Sequence, residues 1–173
     1  MAINQFSIDL VPREPIVGRF GTVPTELPDE DDDWLWVWQP PADYRSVIEA
    51  FTHPYPSWSP DIRMWGSENG DRIHVIHERE RVVGIACRLD VRRFSGSFAS
   101  GLLHLTEHCD CLLLMPGSRL VQPTREALVA AIRASDELRF VTDPVGFFNG
   151  LSSGELKPQD IAEQHAPPDR GGD

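Results

Sequence analysis

Between residues 72 and 91 apolar residues recur at every second position. Val83, Ile85, Cys87, Leu89 and Val91 alternate with Gly84, Ala86, Arg88, Asp90 and Arg92, the period of a strand with one buried and one polar face. Ile73, Val75 and His77 repeat the pattern one segment earlier. With IRMWG (62–66) upstream and Asn69-Gly70 as a turn signal, the pattern predicts a three-stranded antiparallel meander over 62–66, 72–77 and 82–91. Keeping Val75 opposite Ile85 requires the three-residue loop Arg79-Glu80-Arg81. A two-residue loop would set Ile73 against Ala86 and mix the two faces.

The flanking segments add further elements. QFSIDLV (5–11) and IVGRF (16–20) read as short strands broken by Pro12 and Pro15. In WLWVW (34–38), Trp34, Trp36 and Trp38 fall on one side and Leu35 and Val37 on the other, as in a strand covered on both faces. A helix near 42–52 carries Tyr44, Val47, Ile48 and Phe51 as its apolar stripe. HPYPSWSPD (53–61) is expected to be irregular. Residues 97–109 predict a helix with Phe98, Leu102, Leu105 and Cys109 on one side. CLLLM (111–115) has the wholly apolar character of a central strand, and Leu120-Val121 forms a brief return strand. Thr124 is placed to cap a helix running to about Ala134, and Asp143-Pro144 to start a short one ending near Leu151. The expected fold is α+β: a single globular domain over 1–151, mainly antiparallel sheet around the meander 62–91, with three to four helices. Residues 152–173 have almost no apolar content and read as a disordered tail.

Composition narrows the function. The 173 residues carry 16 Lys+Arg and 27 Asp+Glu, a formal charge of -11. Such a surface repels phosphate backbones and anionic lipid, so neither nucleic acid nor a membrane is an expected partner. A protein with a basic surface is. No apolar run reaches the roughly 20 residues of a membrane span. The start, MAINQFSIDLVPREP, lacks a basic segment followed by an apolar block, so a cytoplasmic location is expected. Cys87, Cys109 and Cys111 are an odd number with no C-x-x-C spacing, which argues against a disulfide framework or a zinc ribbon.

Three groups of residues could carry chemistry. His104-Leu105-Thr106-Glu107-His108 fits H-x-x-E-H, where two imidazoles on one helix face could hold zinc with Glu107 as base. The pattern resembles the inverzincin peptidase motif at these five residues. Such an enzyme needs a further carboxylate ligand, and Glu126, Asp136, Glu137 and Asp143 have no context that marks one. Read structurally, Ser100, His104, Glu107 and His108 are the solvated stripe of the helix. A weaker metal set would be His104, His108 and Cys111. His74 and His77, three apart in a strand, fall on opposite faces and cannot share an ion. The second group is the run Asp29, Glu30, Asp31, Asp32, Asp33 leading into the tryptophans. As a docking site, Asp31, Asp32 and Asp33 would attract Arg and Lys of a partner while Trp34 and Trp36 anchor it; as structure, the tryptophans are core and the carboxylates a solvated loop. The third is the polar sheet face of Arg72, His74, Arg88, Asp90 and Arg92. Nucleophile elbows, phosphate-binding glycine loops and calcium loops are absent, and no cofactor is expected.

RIHVIHERERVVGIACRLDVR (72–92), the following helix and CLLLM strand, and LRFVTDPVGFF (138–148) give the chain a layout that resembles the small acidic proteins bacteria encode as immunity partners of polymorphic toxins. The resemblance implies a non-enzymatic protein that blocks a toxin by binding it. The sequence thus points to a cytosolic protein-binding module, with a metal-dependent hydrolase centred on His104, Glu107 and His108, or a structural subunit of an assembly, as alternatives.

Overall fold

The computed structural model describes residues 5–28 and 33–153, with side chains to Phe148. Its class is α+β. Seven antiparallel strands form one sheet: β1 (Gln5–Pro12), β2 (Pro54–Tyr55), β3 (Ile62–Gly66), β4 (Arg72–Glu78), β5 (Arg81–Asp90), β6 (Cys111–Met115) and β7 (Arg119–Val121), in the order β2-β3-β4-β5-β1-β6-β7. Six α-helices accompany it among the described residues: α1 (Arg13–Phe20), α2 (Tyr44–Glu49), α3 (Gly96–His108), α4 (Arg125–Arg133), α5 (Asp136–Thr142) and α6 (Pro144–Ser153). The expected meander is β3-β4-β5, the core of a larger sheet, and the helix count exceeds three to four. None of the helices is long and apolar enough to cross a membrane. Of the tail expected over 152–173, Ser152 and Ser153 instead close α6, and residues 154–173 lie outside the described residues.

The alternation of the meander builds a one-sided core. Directly opposed residues share a face, and Ile8, Cys87, Ile73 and Trp65 form one cross-sheet row. Phe6 with Leu89, and Val75 with Ile85, form its neighbours. All eight are buried. They join Phe98, Leu102 and Leu105 of α3, Tyr44 and Ile48 of α2, and Leu128 and Ile132 of α4 in one hydrophobic cluster. Caps define the helices of this layer. The side chains of Ser95, Thr124 and Ser135 accept from the backbone N–H groups of Phe98, Ala127 and Leu138, each satisfying a donor that the first turn leaves orphaned.

Val75 does face Ile85, but the hairpin reaches that register differently. The loop is the two-residue Arg79-Glu80, with Arg79 at φ 58, and Glu78 pairs with Arg81. The register shifts between Ile76 and His77, so that His77 opposes Val82 while Ile76 opposes Gly84. Val83 is the extra residue of a bulge, and Val82 is buried in the place the alternation gave to Val83. The side chain of Gln39 completes the bulge: its Nε2 donates to the Val82 carbonyl at 3.0 Å and its Oε1 accepts from the Val82 N–H at 2.9 Å. One amide thereby replaces a strand partner where the ladder is broken.

Two segments expected as strands are helical. Residues 16–20 belong to α1, which starts straight from the last residue of β1. Pro15 lies in its first turn, where a missing N–H costs nothing. Gly21, at φ 73, ends the helix by donating to the Val17 carbonyl. The tryptophan segment is a 3-10 turn, Asp33–Val37, anchored at the Trp36 carbonyl by Arg81 Nη2 (2.8 Å) and Gln39 Nε2 (3.2 Å). Within the irregular stretch 53–61, Pro54 and Tyr55 pair with Trp65 and Met64. α5 lies where no element was expected.

Helices α2 and α3 pack so closely that a Cβ on Gly101 would enter the Phe51 ring, itself edge-on to Phe98 at 5.5 Å. Gly101→Ala gains about 1 kcal/mol of helix propensity but forces the ring from its contact, an overpacking cost of about 1–3 kcal/mol. The variant is expected to unfold at lower urea than wild type, and adding Phe51→Leu is expected to recover part of the loss; an unchanged midpoint for Gly101→Ala refutes the close-packed crossing.

Candidate functional site

The acidic-aromatic segment retains its position at the surface but not its predicted shape. In a 3-10 turn residues i and i+3 lie one above the other, so Trp34 lines up with Val37 and not with Trp36. Trp36 is buried in the core, 7% exposed, as is Leu35. Trp36 therefore leaves the docking set. Trp34 is half-buried and Asp33 is exposed; Asp31 and Asp32, with Asp29 and Glu30, lie outside the described residues. Trp34 meets Phe20 of α1 edge-on at 5.9 Å, and the Arg19 guanidinium sits 4.6 Å above its ring. The indole Nε1 is buried without an acceptor among the described residues. Val17, one turn before Phe20, is 38% exposed, Phe20 37% and Val37 71%. Val17, Phe20, Trp34 and Val37 form an apolar ledge where the carboxylate run enters the turn. Sequence reasoning missed Val17 and Phe20 because it assigned them to a strand.

The H-x-x-E-H residues are on α3 as expected, with the His104 and His108 rings 6.4 Å apart. His104 and Glu107 are exposed. His108 Nε2 is committed to Asp43 Oδ1 at 2.8 Å, a hydrogen bond that ties α3 to the start of α2 and holds the Asp43 carboxyl below its ordinary pKa. Cys111 is buried in β6, and burial pushes its thiol well above the usual range; Cys109 is pushed up to about 12 for the same reason. Neither presents a thiolate. No three His, Cys, Asp or Glu side chains are placed to hold a metal among the described residues.

His74 and His77 do lie on opposite faces. His77 is buried on the core face, and there the sequence concealed a polar constellation. Arg45 Nε donates to the Tyr44 hydroxyl at 3.1 Å, and that hydroxyl lies 3.2 Å from His77 Nε2. Burial, then the Arg63 charge, then Arg45 lower the His77 pKa, so the neutral ring is the stable one. The three residues come from α2 and β4, and no periodicity links them. The arrangement ties α2 to β4.

Compared with protein-family models, with curated proteins and with solved structures, the chain finds no match.

Two outcomes follow from this geometry. As pH falls below about 6.5 the unfolded chain takes up a proton that folded His77 refuses, so stability present at neutral pH declines until the lowered folded pKa is reached. Between about pH 7.5 and about pH 5, wild type is expected to take up as much as about one more proton on unfolding than His77→Gln; identical pH slopes in urea titrations would contradict the neutral ring. Purified protein is expected to hold less than about a tenth of an equivalent of zinc, with no rise in Tm on adding it. A zinc-dependent rise abolished by His104→Ala would restore the metal reading.

Proposed function

We propose that the protein is a non-enzymatic protein-binding module that docks a basic partner on the ledge of Val17, Phe20, Trp34 and Val37 beside the run Asp29 to Asp33. The observation that carries this reading is that ledge: exposed apolar side chains on two adjoining elements, at the end of five consecutive acidic residues. Apolar contact supplies affinity, and the carboxylates supply attraction and speed of encounter. The Arg19 guanidinium over Trp34 shows the ring face accepting a cation. A toxin with a basic face is the partner class that the resemblance in layout suggests.

Affinity capture from the native host tests the reading. The wild-type chain is expected to retain a discrete basic protein at low ionic strength and to release it as salt rises. The triple variant Asp31→Asn, Asp32→Asn, Asp33→Asn and the single Trp34→Ala are each expected to weaken retention by about tenfold, roughly 1.4 kcal/mol. Equal retention by wild type and the triple variant overturns the proposal. So does sedimentation of wild type as a dimer that Trp34→Ala dissociates, which would make the ledge a contact between copies.

A further inference from the structure

The second face of the sheet carries a charge arrangement that the docking proposal does not use. Strand register sets Ser7, Arg88, Arg72 and Gly66 in one row, and Asp9, Ala86, His74 and Met64 in the next. On the opposite face Ile73, Val75, Ile85 and Cys87 are sealed by the core, whereas Ser7, Arg72, His74, Ala86 and Arg88 are half-buried. Arg72 and Arg88 are therefore direct cross-strand neighbours, with Cβ atoms about 5 Å apart. Like charges so placed repel, and a natural sheet normally sets a carboxylate against an arginine there. No hydrogen bond or ion pair joins either guanidinium to another described residue. Arg72 Nε is buried without an acceptor among these residues, which costs about 1–3 kcal/mol unless something fills the gap. Burial and the Arg72 charge both disfavour the charged form of Arg88.

The neighbouring carboxylates do not resolve this. Asp9 lies diagonal to Arg88 and offsets part of its charge, but it is exposed. Asp90, two residues beyond Arg88, accepts from Arg92 Nε and Nη2 at 2.9 Å each. Asp71 Oδ1 accepts from the Asp90 N–H. The neighbours of Arg72 and Arg88 along the row and diagonal to it, Ser7, Gly66 and Ala86, are small.

We propose that Arg72 and Arg88 form an anion site on this second sheet face, taking a phosphate group as inorganic phosphate or as a phosphomonoester. A dianion can accept paired N–H groups from both guanidiniums at once, while a monocarboxylate neutralises only one. His74 lies diagonal to Arg88, on the rim of the same site. The site is local: on a chain of net charge -11, attraction is confined to within about 8–10 Å of the arginine pair at ordinary salt.

Titration of the full-length protein with inorganic phosphate at constant ionic strength tests it. The Arg72 and Arg88 Nε–H resonances are expected to shift together and saturate, while Arg93 does not move and acetate has no effect. Arg72→Gln and Arg88→Gln are each expected to weaken binding by at least about tenfold. Methyl phosphate binding as well as inorganic phosphate points to an esterified phosphate; binding of inorganic phosphate alone points to the free ion. Non-saturating shifts, shifts matched by acetate, or unchanged affinity in both folded variants overturn the site. The shifts in wild type are read without any variant, so a variant that fails to fold does not blunt the test.

Discussion

The architecture hangs on β1. It pairs with β5 through Gln5 to Asp9 and with β6 through Asp9 to Pro12, so it alone joins the meander β2-β5 to the β6-β7 hairpin. Its apolar content reflects this. Phe6, Ile8 and Leu10 face the helical layer, while Val11 on the other side is buried in the same cluster as Ile16 of α1 and Leu35. Gln5, Ser7 and Asp9 remain for the second face, with Gln5 buried, and that face holds the two arginines.

The two faces divide the labour. Helices α2, α3 and α4 bring their apolar sides to one face, and the polar groups trapped there are mutually satisfied, as Tyr44, His77 and Arg45 are. On the other face the guanidiniums of Arg72 and Arg88 have no such partner among the described residues. Buried polar groups without partners are expensive and hence scarce in folded proteins, which is why Arg72 Nε carries more weight than the numerous exposed carboxylates.

Legibility followed the range of the interactions. The meander, α3, β6 and the caps at Thr124 and Asp143 could be read because local period or local capping chemistry decides them. The bulge at Val83 could not: it depends on Gln39, distant in sequence, supplying the missing hydrogen bonds. The tryptophan segment misled because alternation over five residues fits a strand equally well, and the choice of a 3-10 turn is made by Arg81 and Gln39 at the Trp36 carbonyl. Ile16 and Val17 favour strands by β-branching, yet packing against the Asp33–Val37 turn overrides that preference. Of the candidate sites, the H-x-x-E-H spacing correctly placed two imidazoles on one side of a helix, but it could not reveal that Asp43 engages one of them. The polar row of β4 and β5 was visible; that Arg72 and Arg88 stand opposite each other depended on register.

The central place of the first strand also sets the order of assembly. β1 leaves the ribosome before its partners near residues 86 and 112, so it must wait, unpaired on both edges, until they have been made. Such long-range pairing slows folding and exposes apolar strand to neighbouring chains in the interval. The negative charge of Asp9 and the abrupt proline at residue 12 are the features of this strand suited to keep nascent copies from zipping together edge to edge.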